Sequence, residues 1–180
     1  MITVFGSINL DLIGKVSRIP KPGETVPGTA FSTAPGGKGA NQALAAARAG
    51  AKVRMVGMAG RDAMGDEALA LLRSGGVDLS AVGRPELPQG VAMILVDEAG
   101  ENVIGILPGA NAALGIEDAE RTLANLTPAD TLIVQQEIAP GSSIRALSMA
   151  RERGARSILN TAPFLPTTRE AARRADIVVA

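Results

Sequence analysis

Three short stretches concentrate the residues that could do chemistry. In GSINLD, Asn9 and Asp11 stand two residues apart, so an extended chain turns both side chains to one face. An acceptor carboxylate beside an amide suits vicinal hydroxyls, although a solvated or capping pair has the same signature. In APGGKGANQALAAARAG, residues 34–50, glycines 36, 37 and 39 let backbone approach a ligand closely, and the following helix offers free N-terminal amides.

That turn reads as an anion cradle or as a plain tight turn. It departs from the Walker pattern, with Ser32 in place of the first Gly and Gly39 where Ser or Thr should follow Lys38. It departs from GxGxxG too, so a nucleotide site is not expected here. Glu137 closes LIVQQE at the expected carboxyl end of a strand, as a loop or cap residue or a ligand. In AGRDAMGD, Arg61, Asp62 and Asp66 surround a helix start, where Asp62 is expected to cap and Asp66 to lie in the first turn.

Composition narrows the chemistry. The 180 residues contain no His, Cys, Trp or Tyr, which excludes imidazole bases, thiolate nucleophiles, disulfides and Cys-rich zinc sites. Three Phe and a formal net charge of zero argue against nucleic-acid stacking or phosphate-backbone binding. No apolar stretch approaches the roughly 18 residues that span a bilayer, and no basic leader opens the chain, so a cytoplasmic protein with no membrane partner is expected.

The elements that must hold these residues alternate. Strands are expected at 2–7, 52–58, 131–135, 157–160 and 176–179, and helices at 38–49, 63–74, 116–125, 142–153 and 167–175. Such alternation predicts an α/β fold, a mostly parallel sheet with helices on both faces. Segments 10–34 and 90–108 break the rhythm with strand-like runs 10–19, 25–32, 91–96 and 102–107 and turns such as KPGE and DEAGE. Antiparallel hairpins there predict a small projecting sheet, a lid over the site. The apolar 176–180 stretch is an expected fifth parallel strand whose open edge invites self-association.

The order GSINLD, PGET, PGGKGANQALAAARAGA, GMAGRDAMGD and GVAMILVDEAGENVIGILPGAN closely resembles the PfkB-type carbohydrate kinases, the ribokinase branch in particular. The resemblance covers essentially all 180 residues and implies a ribokinase-like fold. It also implies ATP-dependent phosphorylation of the ribose 5-hydroxyl, with Mg²⁺ and a monovalent cation such as K⁺, and a homodimer formed through the β lid. Motif matching puts Asn9, Asp11, Gly37, Lys38, Asn41 and Glu137 on the family's sugar-binding positions, which makes the Gly-rich turn a sugar-binding element. The family's Asn-x-x-Glu motif and its Gly-Ala-Gly-Asp signature, with the Asp that accepts the hydroxyl proton, do not occur in these residues. The expectation is therefore an incomplete domain lacking its C-terminal part, with sugar recognition and without a catalytic base, inactive on its own. Another sugar or nucleoside kinase of the family, or a non-catalytic sugar-binding or dimerisation module, are the alternatives.

Overall fold

The computed structural model describes residues 1–180. The chain runs β1 (Ile2–Phe5), β2 (Asn9–Val16), β3 (Gly28–Gly36), α1 (Lys38–Arg48), β4 (Val53–Met58), α2 (Ala63–Ala68), α3 (Ala70–Ser74) and β5 (Asp78–Gly83). It continues with β6 (Val91–Val96), β7 (Asn102–Leu107), a 3₁₀ turn (Gly109–Ala113), α4 (Ile116–Leu123), β8 (Thr131–Val134), α5 (Pro140–Glu152), β9 (Arg156–Asn160), α6 (Thr168–Ala172) and β10 (Ile177–Val179).

Six strands form one wholly parallel sheet in the order β10-β9-β8-β1-β4-β5. Central β1 reads Ile-Thr-Val-Phe and is buried on both faces, as a doubly covered strand must be. Alternate side chains feed two cores. Val4, Val53 and Met55 pack with Ala40, Ala43, Leu44 and Leu72 from α1 and α3, while Phe5, Val56, Leu132 and Val134 pack with α4, α5 and α6. Helices thus cover both faces, as the alternation predicted.

The second sheet, of order β3-β2-β6-β7, is the projecting lid. Its two hairpins are antiparallel, and they join through a parallel β2 to β6 pairing that local sequence does not announce.

Three expectations need correction. Residues 78–83 form a sixth parallel strand that was not foreseen, because DLSAVG lacks an apolar run and pairs along one edge only, so 177–179 is the sixth strand rather than the fifth. The expected helix 63–74 is two short helices meeting at Leu69. Finally, β3 extends to Gly36, because the Pro35-Gly36 segment keeps pairing with Leu10 and Asn9. No helix is long and apolar enough to cross a membrane.

Candidate functional site

The carboxyl ends of β1 and β8 converge on the N-terminus of α1, beneath the lid. Helix α1 starts without a side-chain cap of its own. Gly37 precedes it at φ 90°, a left-handed conformation in which an added Cβ would stand 2.7 Å from the Asn9 N. Gly39 is equally obliged, since a Cβ would meet the Ser7 backbone at 2.6 Å.

The missing cap comes from far along the chain. The Lys38 N–H donates to Glu137 Oε2 (3.0 Å), and Ser7 Oγ donates to the same oxygen (2.7 Å). Gly39 N–H then donates to Ser7 Oγ (3.3 Å) and Ala40 N–H to the Ser7 carbonyl (2.9 Å). Glu137 therefore does cap a helix, but α1 rather than its own. Its charge sits at the positive end of the helix dipole with the Lys38 ammonium 3.4 Å from Oε1.

Asn9 is buried at the start of β2, and its Oδ1 accepts from Asn111 Nδ2 (2.7 Å). Asp11, two residues on, accepts no hydrogen bond from the protein. It packs so tightly on the β3 backbone that a Cβ on Gly36 would lie 2.4 Å from its carboxylate. Burial, and then repulsion from Glu137, raise the Asp11 pKa above the ordinary carboxylate value, with Lys38 pulling in the opposite sense.

All six residues singled out in the sequence line one cavity of about 160 Å³. Asn9, Asp11, Gly37, Lys38, Asn41 and Glu137 form its floor and sides, and Ala92, Ile94, Ile104 and Ile106 of the lid its apolar roof. The roof follows from register: Ala92 pairs with Asp11 and Ile106, and Ile94 with Ile104, so these side chains share the cavity face. A floor rich in acceptors and donors beneath aliphatic walls suits a small polyhydroxylated molecule with an apolar edge.

Asp62 and Asp66 stay outside this cavity. Asp62 caps α2 through Gly65 N–H (2.7 Å) and also accepts from Gln89 N–H (2.9 Å), while Asp66 pairs with Arg84 (2.9 Å). Arg61 forms an exposed pair with Glu86.

Sequence reasoning passed over Ser7, Gln89 and Asn111. Gln89 Nε2 donates to the Ile8 carbonyl (2.6 Å) and its Oε1 accepts from Gly60 N–H (2.9 Å). Each stands in or beside a motif, but the partners lie 130, 81 and 103 residues away, a distance no local pattern reports.

No three His, Cys, Asp or Glu side chains gather where they could hold a metal ion, and the glycine turn is already filled by Glu137 and Ser7. The residues at the turn therefore suit hydroxyl groups rather than a nucleotide phosphate.

The pfkB family carbohydrate kinase pattern matches residues 1–180. Ribokinase of Mus musculus is 38% identical over 165 residues, 91% of this chain and 51% of that protein. Deoxyribokinase of Salmonella typhi is 37% identical over 165 residues, 91% of this chain and 54% of that protein. The structure of Arabidopsis thaliana ribokinase complexed with ribose and ATP superposes with a TM-score of 0.80 at 28% identity, covering 98% of this chain and 57% of that one. The chain thus spans about half the length of these relatives, and on this match it belongs to the pfkB family of carbohydrate kinases.

Proposed function

We propose that these residues are the sugar-recognition half of an ATP-dependent ribokinase that phosphorylates D-ribose to D-ribose 5-phosphate in the cytoplasm. The observation that carries this reading is the convergence of Asn9, Asp11, Gly37, Lys38, Asn41 and Glu137 on one small cavity under the lid. Asp11 and Glu137 accept from sugar hydroxyls, Lys38, Asn41 and Asn9 donate to them, and the isoleucines cover the ring. ATP, Mg²⁺ and a monovalent cation such as K⁺ are expected by resemblance, and no step is assigned to them on these residues.

The 180-residue chain alone binds sugar without turnover, because neither the Gly-Ala-Gly-Asp nor the Asn-x-x-Glu motif occurs in it. The outer face of the lid, with Phe31, Met93, Leu95 and Val103, meets a second copy in a homodimer. A second reading, 2-deoxyribose as substrate, is favoured by the likeness to a deoxyribokinase.

ADP formation by the protein as its gene encodes it, with D-ribose, 2-deoxy-D-ribose and D-fructose in parallel, tests the assignment. Ribose is expected to give the highest kcat/KM; preference for fructose contradicts the reading. Titration of the 180-residue chain with ribose is expected to show binding, and ribose-dependent ADP formation by that chain contradicts its inactivity.

A further inference from the structure

Asn111 stands in the 3₁₀ turn just past β7, is 1% exposed, and lies against the floor of the cavity without lining it. Its orientation is fixed by backbone groups whose polarity is not in question. The Ile8 N–H donates to Asn111 Oδ1 (2.9 Å), so the other end of the amide must be nitrogen, and that Nδ2 donates to the Ile8 carbonyl (3.1 Å). The same Nδ2 reaches Asn9 at 2.7 Å, where it can only meet an acceptor.

We infer that Asn111 is a positioning residue that holds the oxygen of the Asn9 amide inward and so presents its NH₂ group to the cavity. With Asp11 presenting only acceptors beside it, a hydroxyl held between the two can accept from Asn9 while donating to Asp11. A reversed Asn9 would set two acceptors against the single proton of that hydroxyl.

Gly90 belongs to the same device. A Cβ there would stand 2.3 Å from Asn111 Nδ2 and 2.9 Å from Asn9 Oδ1, so only glycine lets the pair close. Gly90 lies just before β6 and Asn111 just after β7, so both ends of the lid hairpin bear on the Asn9 amide. Gln89, donating to the Ile8 and Gly90 carbonyls, holds the near end in place.

This inference rests on the sugar-binding reading above, and a double-mutant cycle in the protein as its gene encodes it tests it, with D-ribose as the probe in calorimetry. Asn111→Ala is expected to weaken ribose binding about tenfold, as loss of one oriented hydrogen bond does. In the Asn9→Ala background the same change is expected to weaken it less than about twofold, the margin within which independent sites already add. A full further loss in that background means that Asn111 acts through general packing and overturns the inference.

A measurement on the wild-type protein is independent of how the variants fold. In its ¹⁵N spectrum the Asn9 side-chain amide resonances are expected to shift on ribose addition, and resonances that ribose leaves unmoved overturn the assignment. A wild-type protein that binds no ribose overturns the functional reading and this inference with it; ribose binding with an additive cycle overturns this inference alone.

Discussion

The amino end of the parallel sheet and the lid strand above its carboxyl end treat aspartates in opposite ways. At the amino ends of the strands, Asp78, Asp130 and Asp176 are all satisfied by the protein. Asp176 accepts from Ser157 N–H (2.7 Å) and Oγ (2.9 Å), Asp130 from the Thr127 N–H and hydroxyl and the terminal ammonium, and Asp78 from Ser80 N–H (2.9 Å). Those hydrogen bonds hold all three carboxyls below their ordinary values. On lid strand β2, above the carboxyl end, Asp11 has no protein donor, and burial followed by Glu137 pushes it the other way. One end is arranged for stability. The other leaves a half-buried carboxylate without a protein donor, free to accept from a ligand.

The contrast fixes the largest expected effect. Asp11→Asn should weaken ribose binding on the order of 100-fold, since hydrogen bonds to a charged acceptor are worth about 1.5–3 kcal/mol each. It should do so without loss of stability. A carboxyl raised above its ordinary value opposes folding once ionised, so the variant should melt at the same or a higher temperature at pH 7. That gain should vanish as pH falls below the ordinary carboxylate range. Calorimetry and thermal unfolding of the same sample check both halves.

Next in size is Gly39→Ala, in which the added methyl meets the backbone of Ser7 and Gly6 rather than a movable side chain. A loss of about 1–3 kcal/mol is expected in denaturant unfolding, with sugar binding weakened as well because α1 shifts from Glu137. Here the two properties fall together, unlike at Asp11.

Asp176→Ala probes the opposite end. It should cost about 1 kcal/mol, moderated by solvent exposure, and leave ribose affinity unchanged. Its wild-type contribution is present above the ordinary carboxylate range and is lost as pH falls through the lowered folded value, so the variant should flatten the acid limb of the stability profile. Smallest of all, Glu86→Ala breaks the exposed Arg61 pair and should change stability by less than about 0.5 kcal/mol.

Much of this architecture is legible in the chain. Strands 91–96 and 102–107 fall where their alternation puts them, and the alternating helices place the two cores. The register of long-range pairing is what local pattern does not carry. Strand 78–83 borrows its stability from β4, and the lid halves join through β2 and β6, contacts made after chain reversals that leave no trace in a window of ten residues.

The candidate site divides along the same line. Six of the ten residues that line the cavity are marked by motifs. Ser7 and Asn111, which orient two of them, carry no such mark, because the role of a buried Ser or Asn shows only once its distant partner is known.

Titration of D-ribose into the wild-type protein and the Asp11→Asn variant, both confirmed as folded, tests the central claim most directly. The account predicts binding by the wild type that is lost in the variant while its melting temperature holds or rises. Equal affinity in the two proteins, or no binding by the wild type, would contradict it.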